Sequence, residues 1–84
     1  MQYRVDLKPR ATKDLSRLSK GDAERILDAI AKLCDNLSGD VKRLTNFTPE
    51  YRLRVGDYRV LFEIEETSRV VVYRIRHRRD VYKN

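Results

Sequence analysis

Two alternating runs, Tyr51-Arg52-Leu53-Arg54-Val55 and Tyr58-Arg59-Val60-Leu61-Phe62, are separated only by Gly56-Asp57. Alternation with a period of two is the pattern of a strand with one buried face. A two-residue loop that begins with glycine joins such runs through a type II′ turn, so the pair reads as a β-hairpin. The turn fixes the register. Val55 then pairs with Tyr58, Arg54 lies opposite Arg59 on one face, and Arg52 lies two residues along. Like charges directly opposite each other destabilise a sheet by a few tenths of a kcal/mol, up to about one. A chain that carries this penalty is expected to hold an anion there, with a polyanion such as RNA as first candidate.

The charge distribution points the same way. The 84 residues carry 19 Lys and Arg against 13 Asp and Glu. Nine of the thirteen arginines lie between Arg43 and Arg79. Residues 1–40 hold eight basic and seven acidic groups, while residues 41–84 hold eleven and six. A lopsided basic half suits nucleic acid or another acidic partner, and a planar guanidinium grips a phosphate with two hydrogen bonds. Cys34 is the only cysteine, which excludes an internal disulfide and a thiolate metal site and fits a reducing cytosol. It falls on the apolar side of an expected helix, as a small hydrophobe. No signal peptide or membrane-spanning run is visible, so a soluble, cytoplasmic protein is expected.

Along the chain, Tyr3, Val5 and Leu7 alternate with polar residues as a first strand. Pro9 suits the first turn of a helix whose apolar stripe is Ala11, Leu15 and Leu18, with Gly21 at its end. Asp22 is expected to cap a second helix, with the stripe Ala23, Ile26, Leu27, Ile30, Leu33, Cys34 and Leu37. A short edge strand over Val41–Leu44, the hairpin strands over roughly 51–55 and 58–65, and a last strand over Arg69–Arg76 complete the chain. This is one domain over residues 1–84, α+β in the order β-α-α-β-β-β. An antiparallel sheet of about four strands is expected, with a two-helix hairpin on one face. Alternation assigns Leu53, Val55, Tyr58, Val60, Phe62, Ile64, Val71, Tyr73 and Ile75 to the helix-covered face. Arg52, Arg54, Arg59, Leu61, Glu63, Val72, Arg74 and Arg76 fall on the other face.

The stretch Tyr51 to Ile64, together with the ending His77-Arg78-Arg79-Asp80-Val81-Tyr82, resembles the RelE family of toxins within the RelE/ParE superfamily, and the element order resembles it over nearly the whole chain. The resemblance implies a toxin of a type II toxin–antitoxin system. It implies a ribosome-dependent mRNA endonuclease that needs no metal and no cofactor. The ribose 2′-hydroxyl would be the nucleophile, leaving a 2′,3′-cyclic phosphate and a 5′-hydroxyl. A RelB-like antitoxin is the implied partner, with ribosome and mRNA as targets; operator DNA would be bound only through the antitoxin complex, and no membrane is implied.

Carried onto this sequence, the resemblance implies a catalytic set of Arg54, Arg59, His77, Arg78 and Tyr82. Arg52 and Arg54 stand where RelE has lysines. Arg52, Arg74, Arg76 and Arg79 are expected to bind the RNA phosphates. Arginines can stabilise a charged phosphorane, but an arginine is a poor base. The base is left among His77, the only histidine, and the carboxylates Glu50 and Glu63, with Glu63 as a possible partner of Arg52. Tyr82 could orient a base or donate a proton. Leu61 and Val72 offer apolar contacts to an amphipathic partner helix. Two other functions share these features: a ParE-like inhibitor of DNA gyrase on the same fold, and a non-catalytic RNA-binding module.

Overall fold

The computed structural model describes residues 2–81. Strand β1 (Arg4–Leu7) is followed by helices α1 (Pro9–Ser16) and α2 (Lys20–Leu33). Strands β2 (Asp40–Arg43), β3 (Tyr51–Val55), β4 (Tyr58–Glu65) and β5 (Arg69–His77) then run in sequence. The five strands form one sheet in the order β1-β5-β4-β3-β2. All neighbours are antiparallel except β1, which lies parallel to β5 with Val5 opposite Val70 and Leu7 opposite Val72. The first strand therefore makes the sheet mixed and five-stranded. It can do so because the αα-hairpin and three further strands intervene before its partner arrives, whereas a parallel neighbour cannot be reached by a tight turn.

The hairpin stands in the register its turn dictates: Val55 opposite Tyr58, Leu53 opposite Val60, Arg54 opposite Arg59. Gly56 takes φ +57, the conformation a glycine adopts without a Cβ penalty. Helix α1 begins on Pro9, as its fixed φ favours. Helix α2 begins earlier than its composition indicates. Ser19 is the N-cap, its hydroxyl accepting from the Asp22 backbone N–H at 3.2 Å, so Gly21 lies inside the first turn instead of ending α1, and Asp22 is not the cap. Ser19 and Asp22 both carry an acceptor oxygen in this short connection, and the Ser19 hydroxyl, with the Asp22 N–H three residues ahead, takes the role.

Ala11 from α1 and Ile26, Ile30 and Leu33 from α2 pack onto Leu53, Val55, Val60, Phe62, Val70, Val72 and Ile75. Phe62 is fully buried and stacks on Tyr51 with ring centroids 5.5 Å apart.

The alternation of β5 is broken by a bulge. Leu61 faces Arg74, yet Phe62 faces Val72, which leaves Tyr73 as the extra residue. Strict alternation placed Val71 and Tyr73 toward the helices and Val72 away from them. The bulge reverses this: Val70 and Val72 enter the core, and the Tyr73 hydroxyl reaches Glu65 at 3.3 Å. Burial first, and then Glu65, raise the pKa of that hydroxyl. Leu61, Val71 and Val81 are also buried but stand outside the main core cluster.

Candidate nucleic-acid interface

On the face of the sheet away from the helices, Arg54, Arg59 and Arg76 stand in one cross-strand row over β3, β4 and β5. Neighbouring strands are about 4.8 Å apart, so the row spans roughly 10 Å. The Arg54 and Arg76 side chains make no hydrogen bond or ion pair among the described residues. Arg59 donates through Nη1 to the carbonyls of Gly56 and Tyr58, both at 2.9 Å. That fixes its guanidinium beside the turn with Nε and Nη2 unused among the described residues.

Residues 78–81 close on the same turn. The Arg78 backbone N–H donates to the Asp57 carbonyl at 2.8 Å, and its Nε lies 3.7 Å from the Asp57 carboxylate. The Asp80 N–H returns to the His77 carbonyl at 2.8 Å, and Val81 is buried. Arg78 is thereby carried to the turn beside the row, and both it and Arg79 are exposed. Guanidinium groups at strand spacing with no ion pair among the described residues, and further cations beside them, suit a ligand with several phosphates.

Other residues expected at this site are used differently. The Arg74 guanidinium is clasped by Asp14 of α1, Nε to Oδ2 at 2.8 Å and Nη2 to Oδ1 at 3.1 Å. Its expected role at a phosphate gives way to holding α1. Arg52 donates to the Asp40 carbonyl at 2.9 Å and meets its carboxylate at 3.3 Å, with its side chain only 16% exposed. Glu63 does not pair with Arg52, because its carboxylate accepts from the Glu50 backbone N–H at 2.7 Å. Glu50 in turn pairs with Arg43 at 3.1 Å. Val72, expected to offer an apolar contact on this face, is in the core.

His77 is not brought to the row. Past the bulge, Ile75 and His77 point to the helix side and Arg76 to the other. The His77 ring meets Tyr58 edge-on at 5.6 Å, and the Tyr58 hydroxyl reaches Asp22 of α2 at 3.5 Å. The Nδ1 atom of His77 accepts from the Arg79 backbone N–H at 3.2 Å. Tyr82 lies outside the described residues. Among the described residues no group of three His, Cys, Asp or Glu side chains gathers as a metal site.

The carboxylates that arrange this surface, Asp14, Asp40 and Asp57, are what residue-pattern reasoning missed. One signal for Asp14 was present: it is the single acid among five bases between Lys8 and Lys20. Burial raises the pKa of its carboxyl, but the Arg74 hydrogen bond, the Ile75 N–H and the charges of Arg74 and Arg76 outweigh this and hold it below the ordinary value. An open concavity of about 510 Å³ over residues 43–50 adjoins the Tyr51 end of β3, whereas the row crosses that strand at Arg54.

The family model for the ParE toxin of type II toxin–antitoxin systems matches residues 5–82. The chain belongs to the RelE/ParE superfamily of toxins. It is 30% identical to the protein named "Putative toxin RelE1" of Methanocaldococcus jannaschii, over the whole of this chain and 99% of that one. Among solved structures, the RelB–RelE antitoxin–toxin complex from Methanococcus jannaschii matches with TM-score 0.73 at 26% identity, covering 90% of this chain and 93% of that chain. The archaeal RelE–RelB complex from Pyrococcus horikoshii also matches with TM-score 0.73, at 27% identity over 93% and 97% of the two chains. The chain is thus a RelE-like toxin, and no helix among its described residues is long and apolar enough to cross a membrane.

Proposed function

We propose that this toxin is a ribosome-dependent mRNA endonuclease acting in the cytoplasm, restrained by a RelB-like antitoxin. The reading is carried by the Arg54–Arg59–Arg76 row with Arg78 at the turn beside it. In the proposed reaction a ribose 2′-hydroxyl attacks the adjacent phosphorus and the bond to the 5′-oxygen breaks. A 2′,3′-cyclic phosphate and a 5′-hydroxyl result. Negative charge grows on the phosphorane oxygens, and guanidinium groups already held on rigid strands need little reorganisation to meet it. Arg54 and Arg59 clamp the scissile phosphate, Arg78 stabilises the charge from the turn, and Arg76 and Arg79 hold flanking phosphates. Tyr82 serves the proton transfers from the tail.

The experiment is in vitro translation with the purified chain, mapping mRNA 5′ ends by primer extension with and without ribosomes. Cuts are expected only with ribosomes, and are expected to vanish in Arg54→Ala. Cutting of naked mRNA at the same sites, or no cutting under either condition, contradicts the reading.

Inhibition of DNA gyrase is the second reading, favoured by the match to the ParE family model and by the placement of His77 away from the row. It predicts loss of supercoiling in a gyrase assay, with mRNA intact on ribosomes.

A further inference from the structure

The near balance of charge in residues 1–40 conceals two opposite halves. From Lys8 to Lys20 there are five bases and one acid; the remainder of residues 1–40 has three bases and six acids. Arg10, Lys13 and Arg17 are spaced i, i+3, i+7, so they share one side of α1. Arg17 still belongs to that spiral, since it is the C-cap with φ −92 and ψ −6. All three are exposed, and none forms an ion pair among the described residues.

The direction of this stripe decides what it can join. At about 100° per residue, Asp14 falls between the stripe and the core-facing Ala11 and Leu18, while Thr12 and Ser16 lie on the opposite flank. Asp14 is tied to Arg74 on the arginine face of the sheet. The flank of α1 that bears the cations is therefore the one turned toward that face, across the β5 edge that β1 leaves uncovered beyond Val72. Asp14 does not neutralise the stripe, because its carboxylate is committed to Arg74. Lys8, at the start of the helix, lies over the Tyr73 ring at 4.9 Å on the same side.

We propose that Arg10, Lys13 and Arg17 form a second phosphate-binding track, continuous with the arginine row, that grips the backbone of a helical RNA stem. The choice of RNA over DNA rests on the nuclease reading above. A single strand can be held by the row alone, which spans about 10 Å. The stripe runs about 10 Å along the α1 axis on a different element, so a ligand that engages both lays phosphates along two lines across its breadth. Stem RNA offers that breadth, with two backbones and little need for base-specific contacts.

The test is fluorescence anisotropy with a labelled RNA hairpin whose stem is about 16 base pairs, the span a double-stranded RNA-binding domain covers. A single-stranded RNA and a DNA duplex serve as comparison probes. The triple variant Arg10→Gln/Lys13→Gln/Arg17→Gln, at exposed positions, is expected to keep its thermal unfolding midpoint. It should bind the hairpin at least tenfold more weakly, with a slope of log affinity against log salt shallower by about two to three. Its affinity for the single strand should change less. The variant Arg25→Gln/Lys32→Gln, which removes two cations from α2, should bind all probes as wild type does.

An unchanged hairpin slope in the triple variant overturns the proposal, as does an equal loss in the α2 variant. Loss of binding to an acidic peptide without loss on the hairpin would transfer the stripe to a protein partner. Stripe-dependent binding of the DNA duplex in preference to the hairpin removes the RNA assignment. Ribosomal cleavage is read separately, so absent cleavage with intact, stripe-dependent hairpin binding rejects the nuclease reading alone.

Discussion

Arg74 on β5 and Asp14 on α1, sixty residues apart, meet through hydrogen bonds of 2.8 and 3.1 Å, and the same carboxylate accepts the Ile75 backbone N–H at 2.9 Å. Helix α1 thereby satisfies the edge of β5 where β1 has ended. One acid both anchors the helix and takes Arg74 out of the surface available to a ligand.

Asp14→Asn should destabilise the fold by about 1.5–3 kcal/mol, the range for hydrogen bonds to charged groups. Each kcal/mol lowers the melting midpoint of a domain this size by about 4–8 °C. The Asp14 pKa is lowered in the folded state. Its contribution is therefore full above the unfolded value of about 3.9 and disappears as pH falls through the folded pKa. Urea unfolding across that acid range should show a shallower decline for Asp14→Asn than for wild type. Equal declines would separate this pair from acid sensitivity. The double variant Asp14→Leu/Arg74→Met should recover only part of the loss: no charge is then left unpaired, but the Ile75 N–H loses its acceptor.

The hairpin, its register and the opposition of Arg54 to Arg59 were legible in Tyr51 to Phe62 because a two-residue glycine turn leaves one solution. The Arg76 member of the row was legible as a face but not as a partner, since the bulge at Tyr73 has no mark in the alternation of Arg69 to His77. It also moved Val71 and Val72 to opposite sides from those expected. The row was therefore readable, but which arginines are free to bind was not. Asp40 stands opposite Arg54 in the register and Arg76 acts on Asp14 through its charge, yet the carboxylates bond Arg52 and Arg74, and that choice comes from chain folding, not from local spacing.

Arg54 gives the cleanest test of the row. Its side chain has no partner among the described residues, so Arg54→Ala should change stability by no more than about 0.5 kcal/mol. If the guanidinium stabilises the reacting phosphate, cleavage on ribosomes should fall by about 10²- to 10³-fold. Arg59→Ala should show a similar loss together with a stability decrease of about 1 kcal/mol, because Arg59 also donates to Gly56 and Tyr58. Chemical unfolding and single-turnover cleavage on the same preparations separate the two effects.

Two glycines should respond in opposite directions. Gly39 has φ +130, and a Cβ there would stand 2.8 Å from Leu53 Cδ1, a side chain 1% exposed in the core. Gly39→Ala should destabilise by about 2–4 kcal/mol through backbone strain and overpacking. Gly21 lies in the first turn of α2 with nothing within 4 Å of an added Cβ. Gly21→Ala should stabilise by roughly 0.5–1 kcal/mol. Differential scanning calorimetry of the pair reads both signs at once.

His77 separates chain resemblance from geometry. A histidine acting as general base or acid contributes about 10²- to 10⁴-fold, and it must approach the reacting proton within hydrogen-bond reach. Here His77 lies on the helix side of β5, against Tyr58, while the row lies on the other side. The expected outcome is that His77→Ala retains ribosomal cleavage within about tenfold of wild type. The remaining loss should come from the Arg79 N–H contact at Nδ1, which shapes the turn carrying Arg78. His77→Asn, able to accept that N–H through its side-chain oxygen, should then cleave better than His77→Ala. A hundredfold loss in both variants, with unchanged melting midpoints, would show that the tail turns His77 toward the substrate on the ribosome.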